Sequence, residues 1–191
     1  AHMPIGTIGM WAMEQACRQL AAWHAQYPEM DDITIAVNVS MRQLLQTSFF
    51  TQVRDILEST GVVPNMLELE LTETSAMANP LQTMENLSML KKLGLRLALD
   101  DFGTGYSSLA YLQKLPIDIL KIDKAFVRGL GMNQSDMEII RLMMALAQTL
   151  NLQTTAEGIE TFEQLHELKK MGCNLGQGFL FSTCLLYTSP S

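Results

Sequence analysis

Five oxygen-donating side chains, a lysine and a glutamine carry the chemistry that this sequence is equipped to do. Asn38, Glu70, Asp100, Asp101 and Glu157 are all oxygen donors, and no His or Cys stands beside them. Such a set suits hard divalent cations, Mg2+ or Mn2+, and not zinc or copper. Carboxylates gathered in one place repel one another unless cations sit among them. The adjacent pair Asp100-Asp101 offers ligands for two ions, the layout that attacks a phosphodiester with an activated water. Lys121 would orient that water or stabilise developing charge. Any one of these acids taken alone is more often a helix cap or a surface group. It is their recurrence at similar places along the chain that gives them meaning.

Those places are the carboxyl ends of predicted strands. An amphipathic helix covers Ile8 to His24. Ile33 to Val39 is a β-branched run that reads as a buried strand. Ser40 is positioned to cap a helix from Met41 to Ser59, closed by Gly61. Leu67 to Leu71 is a second strand, and Asn79-Pro80 opens a helix that ends at Gly94. Leu95 to Leu99 is a third strand, followed by a glycine-rich loop from Phe102 to Tyr106 and a short helix through Leu112. Ile117 to Ile122 is a fourth strand. A helix follows from Ser135, its expected cap, to Leu150. Leu152 to Ala156 is a fifth strand, Thr161 to Met171 a helix stopped by Gly172, and Leu175 to Phe181 contains a sixth strand.

Strand and helix in alternation imply a parallel sheet with crossover connections. The fold is α/β, either a doubly wound sheet or a TIM-like (β/α)8 barrel. Asn38 and Glu70 lie near the ends of the first two strands. Asp100 and Asp101 follow the third, Lys121 lies near the end of the fourth, Glu157 follows the fifth, and Gln177 begins the last apolar run. Polar groups are costly at such positions unless they have partners. They make sense where all strand ends converge on one site, as on the top face of a barrel; a doubly wound sheet binds at a single switch point. The barrel is favoured, incomplete, with about six strands present and two more expected before residue 4.

Composition narrows the partners. With 191 residues the chain can build one domain with a core, and 48% apolar with 17% charged residues reads as globular. A net charge of −7 without a Lys/Arg-rich stretch disfavours duplex nucleic acid and anionic membranes. No apolar run is long enough to span a bilayer and none resembles a signal peptide. Cys17, Cys173 and Cys184 lack CxxC spacing, which argues against zinc and disulfides and suits a cytoplasmic setting.

The motifs resemble one family. Asn38-Val39-Ser40, Leu67 to Glu73 (LELELTE), Asp100 to Leu109 (DDFGTGYSSL), Leu120 to Asp123 (LKID), Ala156 to Glu160 (AEGIE) and Gln177-Gly178-Phe179 are similar to EAL-domain signatures, in the same order. The resemblance runs from about Ile8 to Ser182. It implies a modified TIM barrel that hydrolyses cyclic di-GMP to linear pGpG with Mg2+ or Mn2+. Carried over by position, it makes Asn38, Glu70 and Asp100 ligands of one metal and Asp101 a ligand of the second. Glu157 is then a further ligand or positions water, and Lys121 contacts the nucleophilic water or phosphate. Gln177, Asp123 and Glu160 are supporting or substrate-binding residues. Glu73 resembles the residue that steadies the loop from Phe102 to Ser108, a loop associated with metal binding and dimer contacts in relatives.

The departures carry expectations too. The family's Glu-Ala-Leu motif and the substrate-contacting Arg after it have no counterpart in the sequence, so residues 4–184 read as a partial EAL domain, weak or inactive alone. A degenerate cyclic di-GMP sensor is the alternative. Residues 1–3 read as a tag scar and 185–191 as a non-native tail. Incomplete barrel edges predict a homodimer or higher self-association. Met143 and Met144 read as core filling. Trp11 and Trp23 read as core or helix-packing residues, His24 and His166 as helix-surface residues, Cys173 as a small buried one, and Lys91-Lys92 and Lys169-Lys170 as solvated helix ends.

Overall fold

The computed structural model describes residues 5–30, 32–104 and 109–182. Residues 1–3, the glycine-rich loop beyond Thr104 and the tail at 185–191 therefore lie outside the described residues. The chain divides into two compact units, residues 1–99 with 105–118, and residues 100–104 with 119–191.

The first unit begins with α1 (Ile5–Gln26), whose Met13, Cys17 and Leu20 recur at spacings of four and three and are fully buried. Burial pushes the Cys17 thiol up to about 11, so it stays protonated and unreactive at neutral pH. Then come β1 (Ile35–Asn38), α2 (Met41–Leu44) and α3 (Phe49–Thr60). β2 (Leu67–Thr72) runs straight into α4 (Glu73–Ala78), and α5 (Pro80–Lys92) leads to β3 (Arg96–Phe102). α6 (Leu109–Leu112) completes the unit. β1 and β2 pair in parallel, with Val37 opposite Leu69 and Asn38 opposite Glu70. Because strand side chains alternate, Leu67, Leu69 and Leu71 share one face of β2 and Glu68 and Glu70 the other. The leucines are at most 2% exposed.

The second unit takes the end of β3 from Asp100, then β4 (Ile119–Ile122), α7 (Lys124–Val127) and α8 (Gln134–Thr149). β5 (Gln153–Ala156), α9 (Phe162–Lys170) and the two-residue β6 (Leu175–Gly176) follow. β4 pairs β5 and β5 pairs β6, both in parallel. The six strands are hydrogen-bonded neighbours in chain order, β1-β2-β3-β4-β5-β6. A doubly wound sheet reverses its order at a switch point. This order never reverses, which is the winding of a TIM-like barrel.

Five local expectations need correction. The helix from Met41 to Ser59 is two helices. Ser40 does cap the first, with Gln43 completing a capping box, but the chain turns between Leu44 and Phe49. Both residues are at most 2% exposed. Five positions apart on one helix they would point about 140° from each other, so the break lets both enter the core. The cap of α8 is Asn133, whose side chain accepts from the Ser135 N–H. Two short helices, α4 and α7, went unread because at most one residue separates each from its strand; the Thr72 and Asp123 side chains cap them. Trp11 is 58% exposed and so is not a core residue. Lys91 is no free helix end, since its Nζ lies 2.7 Å from Asp118 and 3.2 Å from the Leu95 carbonyl oxygen. Met143 and Met144 are buried as expected.

Candidate active site

β4 places its lysine by strand alternation. All four β4 residues are buried, and the Lys121 side chain is 4% exposed. A charge taken from water to this depth needs charged partners. Lys121 has two: its Nζ lies 2.6 Å from Glu157 Oε1 and 3.4 Å from Asp100 Oδ1. The Glu157 N–H donates to the Ile122 carbonyl at 3.1 Å, which continues the β4–β5 ladder and brings the acid alongside the lysine. Gln177 donates from Nε2 to the same Glu157 Oε1 at 2.8 Å. Its own N–H donates to the Ala156 carbonyl at 2.9 Å. Gly178 is required behind it, because a Cβ there would run into the backbone of Ile159. Lysine, two carboxylates and an amide thus form one connected network at the ends of β3, β4, β5 and β6.

Asp100 and Asp101 are the fifth and sixth residues of β3 and do not follow it. The Asp101 N–H donates to Asp100 Oδ1 at 3.0 Å, while the Asp101 carbonyl accepts from the Thr104 N–H and hydroxyl. Its φ is +54°, a left-handed conformation uncommon for a residue other than glycine. Burial, the negative charge of Asp100 and a hydrogen bond and charge from Asp123 hold its carboxyl above the ordinary carboxylate range; Lys121 opposes them. Asp123 itself caps α7, accepting from the Ala125 N–H at 2.8 Å. Glu160 stays outside this network: its side chain is exposed and its N–H donates to Gln164 at the start of α9.

In the first unit, Asn38 and Glu70 stand opposite each other in register, and the Val39 N–H donates to the Glu70 carbonyl at 2.8 Å. Glu70 is 7% exposed and Glu73 1%. The reading missed Glu68, which shares the face of Glu70 and lies 3.9 Å from Arg96. The alternation in Leu67 to Leu71 held that signal.

Among the described residues, no three His, Cys, Asp or Glu side chains form a ready-made metal cage. The donor chemistry nonetheless fits a hard cation. Asp101 is crowded by Asp100 and Asp123, and a bound cation would relieve that repulsion. A test follows without any metal. A folded-state value above the ordinary one means that the folded chain holds the Asp101 proton more tightly than the unfolded chain. Ionisation of this group therefore costs stability as pH rises through that value. Asparagine keeps the shape, tolerates φ above zero and carries no charge. Asp101→Asn is expected to raise the thermal midpoint by about 1–3 °C at pH 7, with the gain vanishing below pH ~3.5. A lowered midpoint at pH 7 would contradict the assigned crowding.

The EAL domain model matches residues 2–183, nearly the whole chain. The chain belongs to the EAL domain family. This EAL domain is 45% identical over 182 residues to the cyclic di-GMP phosphodiesterase NbdA of Pseudomonas aeruginosa, covering 95% of the chain and 23% of that protein. It spans about a quarter of the length of the curated relatives it matches. Among solved structures it resembles the PaMucR phosphodiesterase in complex with c-di-GMP, with a TM-score of 0.88 and 40% identity over 93% of the chain and 71% of that one. It also resembles Klebsiella pneumoniae BlrP1 in a manganese and cy-diGMP complex, with a TM-score of 0.76 and 28% identity over 87% of the chain and 43% of that one. The EAL fold agrees with the resemblance in the sequence. No helix among the described residues is long and apolar enough to cross a membrane.

Proposed function

We propose that this EAL domain hydrolyses cyclic di-GMP to linear pGpG with Mg2+ or Mn2+. The single observation that carries the proposal is the buried Lys121 held between Glu157 and Asp100 at strand ends of an EAL fold. Asp100, Asp101 and Glu157 of the second unit would supply metal ligands; Asn38 and Glu70 of the first are oxygen donors of the same kind. When bound, the ions would polarise the phosphodiester and lower the pKa of a bound water.

The chain's own residues do the rest. Lys121 presents a fixed positive charge to the phosphoryl oxygens, where negative charge develops. Glu157 and Asp100 keep that ammonium in place. Gln177 fixes the Glu157 carboxylate by donating to one of its oxygens, so the other is directed by geometry already set. Asp123 holds Asp101 and the start of α7.

The test is incubation with cyclic di-GMP and Mn2+, following binding and pGpG formation separately. Both are expected from a phosphodiesterase. Binding without pGpG would favour the second reading, a cyclic di-GMP sensor. Neither binding nor turnover would end both readings.

We propose in addition that the chain self-associates. In the second unit Phe162 is 74% exposed, Phe179 66% and Phe181 55%, and Leu175 lies on β6 at the end of the strand order. A strand at the end of a sheet offers unpaired backbone groups to a second copy. Light scattering is expected to give a mass above that of one chain at tens of micromolar; a monomer across the whole range would refute it.

A further inference from the structure

β6 is two residues long, yet its register decides where Gln177 points. Its ladder to β5 has only two positions, Thr155 opposite Leu175 and Ala156 opposite Gly176. A slip of one residue in any strand turns every side chain to the other face. In β6 such a slip would take Gln177 away from Glu157. Short strands with exposed residues are weakly specified, and all of β6 is exposed.

Immediately before β6 stands a clasp that fixes the register. Asn174 Oδ1 accepts from the Thr154 N–H at 2.8 Å and from the Thr154 hydroxyl at 3.0 Å. The Asn174 N–H donates back to the same hydroxyl at 3.2 Å. Thr154 is 3% exposed, so these bonds sit out of water on one side. From the clasp, contacts run without a gap to the site. Two ladder positions lead to Gln177, whose N–H reaches the Ala156 carbonyl at 2.9 Å. Gln177 Nε2 meets Glu157, and Glu157 meets Lys121. Every residue in this path belongs to the second unit.

We propose that Asn174 is a positioning residue for the Glu157–Lys121 pair, acting through the register of β6. It touches neither acid nor lysine. It sets which side chain of the β6 segment meets Glu157. The inference rests on the function proposed above for its catalytic meaning, while its structural part stands apart from it.

The requirement is an acceptor at the Asn174 side-chain position. Asn174→Asp keeps it, and Asn174→Ala and Thr154→Val remove one side of the clasp each. The primary measurement is amide hydrogen exchange in the 191-residue chain. In Asn174→Ala the Gln177 and Glu157 amides are expected to exchange about 5–10-fold faster, in line with one or two lost hydrogen bonds. Amides of β1 and β2 are expected to be unchanged, and Asn174→Asp is expected to match the parent. Unchanged exchange at Gln177 in Asn174→Ala would overturn the proposal. Equal acceleration throughout the chain would also overturn it, because Asn174 would then be a general staple. Where the parent forms pGpG, Asn174→Ala is expected to lower kcat about tenfold with KM little changed, and Asn174→Asp to restore it. A parent that neither binds nor cleaves cyclic di-GMP would sink the phosphodiesterase reading and leave the exchange result to judge the clasp.

Discussion

Lys121→Met is expected to destabilise the chain by about 3–5 kcal/mol and to lower pGpG formation by about 10²–10³-fold. Methionine nearly matches the length and volume of lysine, so the change removes a charge and leaves little cavity. What remains is the cost of two carboxylates, Glu157 and Asp100, 17% and 13% exposed, without the cation between them. Removing one partner of a buried pair costs far more than the pair contributes as a whole. The double variant Lys121→Met/Glu157→Gln should therefore recover a good part of the stability. It should recover none of the activity, because no positive charge is restored at the phosphate. Urea unfolding of the parent, both single variants and the double variant gives the coupling directly. If Lys121→Met proves as stable as the parent, the buried network does not exist as described.

Leu69→Ala in β2 is expected to cost about 2–5 kcal/mol, a large share of the ~5–15 kcal/mol that holds a domain of this kind folded. Leu69 is fully buried between Leu67 and Leu71 on the leucine face of β2 and stands opposite Val37 in the ladder. Truncation would lose its transfer from water and leave a hole that neighbouring β-strands are too constrained to fill. The same strand presents Glu70 from its other face, so loosening it should also shift Glu70, a proposed metal ligand. The measurement is the urea midpoint at unchanged slope. A loss under ~1 kcal/mol would mean that the core closes over the gap.

Most of the helices and strands were legible because their signals are local. The β-branched run before Asn38, the alternation in Leu67 to Leu71, the Pro80 start and the Gly61 and Gly172 stops each act within a few residues. Gly61 takes φ +71° and Gly172 φ +85°, the conformation that only glycine adopts without strain. The misreadings have a common cause. The break between α2 and α3 answers to a core that must receive both Leu44 and Phe49, and no pattern within the helix announces it. Trp11 shares a face of α1 with Ile8, while the core is met by Met13, Cys17 and Leu20 on the other side. Lys91 looks like a helix-end charge until Asp118, 27 residues away, comes alongside it.

The site divides in the same way. Residue types at strand ends carry the proposed chemistry, oxygen donors with one lysine, in an order that identifies the EAL family. The sequence also determined that alternation would put Glu68 with Glu70 and hold Lys121 at a fixed place on β4. What only the tertiary structure decided is which groups neutralise one another. Lys121 selects Glu157 and Asp100, Gln177 selects Glu157, and Asp101 is pressed by Asp123. These partners come from strands 20 and more residues apart, brought together by parallel ladders whose register is set by hydrogen bonds such as those of Asn174 with Thr154. Charge interactions depend steeply on distance and burial, and both are properties of the folded chain that no run of neighbouring residues encodes.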